Sequence, residues 1–333
     1  MKTVFITNQK EKLDYVYPEN VIEYLKENAV SDGVCYNYKD VLANKEKFKD
    51  TEYIFSTWGM VTFTEEEIKE IFPALKCVFY AAGSVQYFAR PFLNLGIKVF
   101  SAWAANAVPV AEYTVAQIIL ANSSYFLTST IASDGNYIKA REEFSNYRGN
   151  YGAKVGIIGA GMIGKLVIQM LKAYKLEVLV FDPFLPDSKA EELGVKKTTL
   201  EEIFSSCTVI SNHLANNEQT KGMLKGELFD KMQPYTTFLN TGRGAQVVEA
   251  DLIKTLKENP DIVAVLDVTD PEPPVEGSDF YKLPNCILTP HIAGSSGDEV
   301  HRMAEYMVEE YENYISHKLC KYEVTLKMLE TMA

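Results

Sequence analysis

The stretch GIIGAGMIGK, which runs from Gly156 to Lys165 near the middle of a 333-residue chain, decides the fold. Its glycines at 159, 161 and 164 form the pattern G-x-G-x-x-G, with an apolar β-type run before it and a helical pattern after it. In such a strand–turn–helix, the first glycine permits a tight turn, the second lets a pyrophosphate approach the backbone, and the third lets the helix pack closely on the strand. The N-terminus of the helix supplies free N–H groups for phosphate oxygens. The stretch therefore predicts a dinucleotide-binding turn.

An acidic residue lies where such a turn needs one. A second predicted strand, 177–182, ends in Asp182, eighteen residues beyond Gly164. A glycine pattern alone is a weak signal, and Asp182-Pro183 is also typical of a simple turn. A carboxylate at this position accepts hydrogen bonds from both ribose hydroxyls and repels a 2′-phosphate. The strand, the helix and the acid together predict NAD, rather than NADP, as the cofactor.

The composition is that of a soluble globular protein with two domains. The net charge of −12 argues against nucleic acid as a partner. Five scattered cysteines, without a C-x-x-C pair, predict buried thiols in a reducing cytoplasm and no metal site. The start, MKTVFITN, is typical of a strand rather than a signal peptide. The apolar stretch 104–121 is interrupted by polar residues and is a poor candidate for a membrane span.

Strand-like and helix-like segments alternate along the whole chain. In the first hundred residues the predicted strands are 4–6, 53–55, 77–79 and 97–100, and the predicted helices are 18–28 and 64–72. From residue 154 the predicted strands are 154–159, 177–182, 208–213, 236–240, 262–267 and 285–290, separated by helices such as 161–174, 225–232 and 248–258. Further helices are expected from 107, with Pro109 in the first turn, to about 126, and from 297 to 317. This order predicts an α/β fold with two doubly wound parallel sheets.

Candidate catalytic residues follow from the rule that ligands bind beyond the carboxyl ends of parallel strands. Arg243, Glu272 and His291 each come shortly after one of the last three predicted strands. The guanidinium group can grip a carboxylate and polarise an adjacent carbonyl. The imidazole can donate a proton to the carbonyl oxygen as hydride arrives, and a neighbouring carboxylate fixes its tautomer and favours its protonated form. Each residue also has a simpler interpretation: a surface-loop charge, a solvated turn acid and a strand-end histidine.

Several ordered blocks resemble the D-isomer-specific 2-hydroxyacid dehydrogenase family. Besides the glycine turn with Asp182, the blocks are LNTGRGAQVVEADLIKTL (239–256), VLDVTDPEPP (265–274), LTPHIAGSS (288–296) and the segment 106–112. The resemblance implies that Arg243 binds substrate, that His291 is the acid/base and that Glu272 is its partner acid. It implies a Rossmann cofactor domain, 102–294, inserted into a flavodoxin-like substrate domain, 1–101 plus 295–333, across a cleft. A homodimer built partly on the 107–126 helix is also implied.

Cofactor contacts are expected from the strand ends that surround the glycine turn. Asp267 is expected to hold the nicotinamide side, and His213 is expected to be structural or a cofactor-side contact rather than catalytic. The histidines at 301 and 317 are expected to be surface or packing residues. The full set of predicted cofactor contacts is Gly159, Gly161, Met162, Ile163, Gly164, Asp182, His213, Thr241, Gly242, Asp267 and Gly294.

The resemblance also implies that backbone amides of a glycine loop bind the substrate carboxylate. Here the loop is AAGSVQ (81–86), and its predicted donors are Ala82, Gly83 and Ser84. The loop departs from the family's G-x-G-x-D form, because Gln86 stands at the acid position. Trp58 is either a second wall of the substrate site or a buried core residue.

The leading hypothesis is an NAD-dependent enzyme that interconverts a small 2-keto acid and the D-2-hydroxy acid. Glyoxylate, hydroxypyruvate, pyruvate-like acids and 3-phosphoglycerate are all candidates. 3-Phosphoglycerate is less favoured, because Arg90 is the only cation near the 81–86 loop and no regulatory domain is expected after the last helix. Formate is disfavoured, because Glu272 is an acid where that branch has an amide. The alternative function is a dinucleotide-sensing regulator on the same fold, which the intact Arg–Glu–His set disfavours.

Overall fold

The structure, a computed structural model, describes residues 2–330. These residues form two compact units: the first unit contains residues up to 106 and from 295 onward, and the second unit is Ala107–Gly294. The strands are β1 Thr3–Ile6, β2 Ser31–Tyr36, β3 Tyr53–Ser56, β4 Cys77–Tyr80, β5 Lys98–Ser101, β6 Lys154–Ile158, β7 Glu177–Phe181, β8 Lys196–Lys197, β9 Val209–Asn212, β10 Thr237–Asn240, β11 Val263–Leu266, β12 Cys286–Leu288 and β13 Glu323–Val324. The α-helices are α1 Lys10–Val16, α2 Glu19–Asn28, α3 Tyr38–Ala43, α4 Glu65–Ile71, α5 Ala89–Asn94, α6 Trp103–Asn122, α7 Tyr125–Ser133, α8 Tyr137–Phe144, α9 Met162–Leu171, α10 Asp187–Leu193, α11 Leu200–Ser206, α12 Gly226–Phe229, α13 Glu249–Glu258 and α14 His301–Ile315.

The first unit is built on a six-stranded sheet in the order β13-β5-β4-β3-β1-β2. Its pairs are parallel except for β13, which runs antiparallel to β5. Strands β1, β3 and β4 are buried at every position, as parallel strands covered on both faces must be. Aromatic rings fill this core; Phe79, for example, stacks on Phe55 and Phe100 at centroid distances of 5.0 Å each. The predicted α/β sheet is confirmed, but β2 and β13 were missed, because β2 is a half-exposed edge strand and β13 has two residues.

The second unit is built on a seven-stranded parallel sheet in the order β12-β11-β10-β9-β6-β7-β8. This is the doubly wound dinucleotide-binding order with one further strand. All six strands predicted for this region are present. The strand of this sheet that was not predicted is β8. It has only two residues and carries no apolar run, so the sequence pattern did not reveal it.

The glycine turn between β6 and α9 has the geometry that its sequence predicts. Gly159 has a φ of +91°, and a Cβ there would lie 2.8 Å from the main-chain oxygen of His213. A Cβ at Gly164 would lie 2.0 Å from the oxygen of Gly159, so this glycine allows the close packing of α9. A Cβ at Gly161 would meet nothing within 4 Å. The first and third glycines are therefore needed by the protein itself, whereas the space beside the second is open for a ligand.

Helix α6 differs from its prediction at both ends. It begins at Trp103, not at Ala107, and ends at Asn122, so Pro109 lies inside the helix rather than in its first turn. The prediction treated the proline as a start signal, because a proline inside a helix removes one backbone hydrogen bond and crowds the carbonyl four residues earlier; α6 accommodates it nonetheless. By length and composition this helix is the one among the described residues that is apolar enough to cross a membrane, and 44% of its most apolar window is buried within the protein. At the other end of the chain, the predicted 297–317 helix is a short 3-10 turn, Gly297–Val300, followed by α14.

Candidate active site

One candidate catalytic side chain follows the carboxyl end of each of three neighbouring strands in the second sheet. Arg243 follows β10, Glu272 follows β11 and His291 follows β12. Because β10, β11 and β12 are adjacent and parallel, their C-terminal loops share one edge of the sheet. We call this the second carboxyl edge.

His291 and Glu272 form a direct pair. The Nδ1 atom of His291 lies 2.8 Å from Oε1 of Glu272, and both side chains are about half exposed, at 46% and 45%. An ionised carboxylate only accepts hydrogen bonds, so Nδ1 carries the proton towards Glu272. The other ring nitrogen, Nε2, is therefore the one available to a ligand. His291 has a φ of +54°, in the left-handed region that favours glycine.

Asp267 holds the loop that carries His291. This carboxylate is only 2% exposed. Its Oδ1 accepts hydrogen bonds from the Thr289 hydroxyl at 2.6 Å and from the Ile292 amide at 2.8 Å, and its Oδ2 accepts one from the Ala293 amide at 3.0 Å. The main-chain oxygen of Asp267 accepts a further bond from the His291 amide at 3.0 Å. Four hydrogen bonds thus fix the position of the histidine.

Helix α6 supports both loops from behind. The hydroxyls of Tyr113 and Thr289 lie 3.2 Å apart. Since the proton of Thr289 goes to Asp267, Tyr113 donates in this pair. The next residue, Thr114, is buried and lies 3.1 Å from the hydroxyl of Thr241, two positions before Arg243. Adjacent residues of one helix therefore contact the histidine loop and the arginine loop.

Arg243 is half-buried between two close-packed glycines. Its Nη1 donates to the oxygen of Gly242 at 2.8 Å. A Cβ at Gly244 would lie 2.0 Å from the carbonyl carbon of Thr269, so the arginine loop packs against the segment that leads to Glu272. Burial lowers the pKa of the Arg243 guanidinium, and the negative charge of Glu272 opposes this shift. The arginine stays charged, because its ordinary pKa is so far above neutrality.

The turn after β6 fits a dinucleotide. Helix α9 has Gly161 at its N-cap, with no side-chain hydrogen bond to the cap, so its first N–H groups, including those of Met162 and Ile163, are available to an anion. Asp182 directly follows β7, and each of its oxygens accepts one main-chain bond, from Ala160 at 2.7 Å and from Phe184 at 2.8 Å. A carboxylate oxygen accepts two bonds, so both oxygens keep capacity for ribose hydroxyls.

The remaining predicted cofactor contacts have less direct geometry. His213 is buried, and its Nε2 lies 2.9 Å from the Ser211 hydroxyl, while its Nδ1 has no partner within residues 2–330. Burial lowers the pKa of His213 to about 4, so this imidazole is neutral at pH 7. Thr241 is buried, Gly242 packs against two amide side chains, and Gly294 is the last residue of the second unit.

The loop predicted to bind a carboxylate lies at the carboxyl end of β4 in the first unit. Its carbonyls are tied back: the Ser101 hydroxyl lies 2.9 Å from the oxygen of Ala82 and 2.6 Å from that of Gly83. The Ala82 amide donates to Tyr80 at 2.9 Å, whereas the Gly83 and Ser84 amides have no hydrogen bond to another described residue. The loop therefore offers two of its three predicted donors.

Two flanking side chains of this loop also have defined surroundings. Gln86, at the family's acid position, donates from Nε2 to the oxygen of Leu329 at 2.7 Å. Trp58 is half-buried, with the ammonium group of Lys12 5.9 Å from the ring centroid. Trp58 is thus neither a fully buried core residue nor fully open to solvent.

Sequence patterns did not reveal the residues that hold the candidate catalytic groups. Tyr113, Thr289 and Gln246 act through side-chain hydrogen bonds to residues that are far away in the chain. No spacing rule links such partners. A weak signal existed for Asn212 and Asn240, which end two apolar strands where polar side chains need a partner.

Residues 116–293 match the model of the D-isomer specific 2-hydroxyacid dehydrogenase, NAD binding domain. The match covers more than half of the chain. The chain belongs to this family. The matched residues lie within the second unit, and NAD is the cofactor that the family model names. The comparisons lend no support to the alternative of a regulatory protein.

Relatives in this dehydrogenase family cover most of the chain. It is 26% identical to the D-3-phosphoglycerate dehydrogenase of Archaeoglobus fulgidus over 314 residues, which are 94% of this chain and 58% of that protein. It is 28% identical to the glyoxylate reductase of Korarchaeum cryptofilum over 79% of this chain and 80% of that one. The crystal structure of Rhodotorula graminis D-mandelate dehydrogenase has the same fold, with a TM-score of 0.80 at 17% identity and 97% coverage of each chain. The chain spans less than two thirds of the length of the first curated relatives that it matches.

Proposed function

We propose that the protein is an NAD-dependent D-2-hydroxyacid dehydrogenase that interconverts a small 2-keto acid and its D-2-hydroxy acid. The observation that carries the proposal is the 2.8 Å pair between His291 Nδ1 and Glu272 Oε1, beside a charged arginine. A paired histidine suits proton transfer to a carbonyl oxygen, and a forked cation suits the carboxylate next to that carbonyl.

In the reduction, bound NADH would supply the hydride. Protonated His291 donates from Nε2 to the carbonyl oxygen as negative charge develops there, and Glu272 stabilises the imidazolium before transfer. Arg243 binds the substrate carboxylate and draws electron density from the carbonyl. In the oxidation direction the neutral Nε2 accepts the hydroxyl proton.

We propose separate binding roles for the two units. We assign the cofactor to residues 102–294 and the substrate-binding role to residues 1–101 with 295–333. The free amides of Gly83 and Ser84 would bind the substrate carboxylate, with Trp58 as a further contact. Asp182 would hold the adenosine ribose, and His213, Thr241, Gly242, Asp267 and Gly294 are the other proposed residues on the cofactor side.

Nicotinamide absorbance with a panel of 2-keto acids tests the proposal. The panel holds glyoxylate, hydroxypyruvate, pyruvate and 3-phosphohydroxypyruvate, each with NADH and NADPH. We expect turnover with NADH, and a loss of about 10³-fold or more in kcat for His291→Ala. The exposed His317→Ala is the matched control. Full activity of the His291 variant would refute the assignment, and a preference for NADPH would refute the role of Asp182.

We further propose a cytoplasmic homodimer. Large apolar side chains are exposed at and after the end of α6, including Tyr137 at 65%, Ile138 at 72% and Tyr151 at 83%. Exposed apolar residues concentrated in one segment are typical of an interface. Light scattering after size exclusion should give twice the chain mass of 37.5 kDa. An Ile138→Asp variant should lower the measured mass, and a monomeric wild type would refute the dimer.

A further inference from the structure

Three buried amide side chains lie beneath the loop that carries Arg243. Asn212 ends β9, Asn240 ends β10, and Gln246 lies in the short 3-10 turn Gly244–Gln246 after the arginine. Their exposed fractions are 0%, 1% and 0%. Buried amides are costly unless their donors and acceptors are paired. We call these three residues the amide network.

The Asn212 side chain joins the other two members of the amide network. Nδ2 of Asn212 donates to Oδ1 of Asn240 at 3.0 Å and to Oε1 of Gln246 at 2.6 Å. Both of its protons are thus used. None of the three side chains has a buried polar atom without a partner in residues 2–330.

Arg243 is the residue that the network surrounds. Its amide donates to Oε1 of Gln246 at 3.4 Å, and its main-chain oxygen accepts from Nδ2 of Asn240 at 3.2 Å. The preceding amide, of Gly242, donates to Oδ1 of Asn240 at 3.1 Å. Both peptide groups that flank the α-carbon of Arg243 are therefore fixed by amide side chains.

The same network joins the arginine loop to the segment beside the glycine turn. Nε2 of Gln246 donates to the oxygen of Leu214 at 2.8 Å, and the Leu214 amide donates to Oδ1 of Asn212 at 3.3 Å. The preceding carbonyl, of His213, is the one that faces Gly159. A chain of hydrogen bonds thus runs from Arg243 to Leu214, and the neighbouring His213 carbonyl packs against the cofactor turn at Gly159.

Main-chain groups determine the orientation of every amide in the network. An N–H can only donate and a C=O can only accept, so the bonds to Gly242, Arg243 and Leu214 fix which end of each side chain is oxygen. A single consistent arrangement results. The network also accounts for Gly242, because a Cβ there would lie 3.1 Å from both Asn212 Nδ2 and Gln246 Oε1.

We propose that Asn212, Asn240 and Gln246 are positioning residues that set the backbone of Arg243 relative to the cofactor turn. The inference rests on the proposed function, in which Arg243 binds the substrate carboxylate. A packed, hydrogen-bonded support is needed because small displacements of a binding group reduce affinity and rate strongly.

Gln246→Leu tests the proposal, with Gln233→Leu as the matched control. Leucine fills a similar volume but leaves the Arg243 amide, the Leu214 oxygen and one of the two Nδ2 protons of Asn212 without a partner. Gln233 is an exposed residue of the same unit whose side chain donates to the oxygen of Lys231. Two measurements are needed: amide hydrogen exchange of the peptide that contains Gly242 and Arg243, and the KM and kcat for the best keto acid.

For Gln246→Leu we expect hydrogen exchange of this peptide to become about tenfold faster or more, because the Arg243 amide loses its acceptor, Oε1 of Gln246. We expect KM to rise about tenfold with a smaller fall in kcat and with NADH affinity within about twofold of wild type. The control should change neither measurement. Unchanged exchange, or faster exchange with an unchanged KM, would overturn the positioning role. A wild type that shows protected amides but no turnover would instead overturn the proposed function.

If the leucine variant does not fold, Gln246→Asn serves in its place. Asparagine keeps the amide chemistry but is one methylene shorter, so it cannot reach the Arg243 amide, the Leu214 oxygen and Asn212 together. Faster exchange of the peptide that contains Gly242 and Arg243, with a raised KM, would support the network. Exchange and KM equal to those of wild type would overturn it.

Discussion

The two carboxyl edges of this protein present different chemistry. The second carboxyl edge displays side chains: Arg243, Glu272 and His291 stand on loops held by buried carboxylate and amide groups. The edge of the first sheet displays main chain: the Gly83 and Ser84 amides are left open while the hydroxyl of Ser101 restrains the carbonyls. Side chains can gain and lose protons, whereas amides only bind. The second edge is thus suited to reaction and the first to recognition.

Arg243→Lys tests the second carboxyl edge and has the largest expected effect. Lysine keeps the charge but loses the planar fork, so kcat/KM for the keto acid should fall about 10²–10³-fold. NADH affinity should stay unchanged by fluorescence titration. The exposed Arg148→Lys is the control. A loss below about threefold would mean that this edge does not bind the carboxylate through Arg243.

Glu272→Gln separates charge from geometry at the same edge. Glutamine still accepts the hydrogen bond from His291 Nδ1, but it cannot stabilise the imidazolium. Steady-state kinetics should give a fall of about 10–100-fold in kcat, with KM nearly constant. Glu276→Gln, a nearby exposed acid, should behave as wild type. Equal kcat values for the two variants would contradict the role of the charge.

Ser101→Ala tests the edge of the first sheet, with a smaller expected effect. Removing one hydroxyl frees the carbonyls of Ala82 and Gly83, so KM should rise about 5–10-fold while kcat is retained. Ser31→Ala, on the edge strand β2, is the control. A fall in kcat without a change in KM would assign chemistry, rather than recognition, to this loop.

The smallest effect concerns stability and contrasts a buried histidine of the second unit with an exposed histidine of the first unit. Burial lowers the pKa of folded His213 to about 4, below the value near 6.5 of an unfolded histidine. The unfolded chain therefore binds more protons between these values, and the stability contribution present above pH 6.5 is lost as the pH falls towards 4. From pH 7 to pH 5 this amounts to about 2 kcal/mol.

His213→Gln should reduce the fall in Tm between pH 7 and pH 5 by several degrees. Scanning calorimetry of both proteins measures this difference. The exposed His317→Gln should leave the wild-type fall intact. Identical pH dependence of the His213 variant and wild type would show that the buried imidazole is not the group that titrates.

Prediction from sequence succeeded where one residue type has one local task. The glycine turn, the helix predicted from residue 64, which Thr64 caps, and the apolar strands all follow from local rules. It failed at β8 and β13, which have too few residues to form a pattern. It misplaced the start of α6, because Pro109 is tolerated inside a long apolar helix.

The same distinction between local and distant partners applies to the candidate site. Strand ends, read in order, bring Arg243, Glu272 and His291 to one edge, and the roles of these residues stay predictions. The supporting partners of Asp267 and Gln246 are distant in sequence, so their identity depends on packing that a single sequence does not contain. Main-chain donors such as Gly83 carry no side-chain signal at all.

The left-handed backbone conformation of His291 lowers stability, whereas the proposed activity needs a histidine at this position. Glycine and asparagine adopt this conformation at lower cost than histidine, so either replacement should make the folded chain more stable while removing its proton donor. A search for thermostable variants without an activity screen would therefore select against the histidine. Conservation of histidine at this position, in any lineage that descends from this chain, would measure how strongly turnover is under selection.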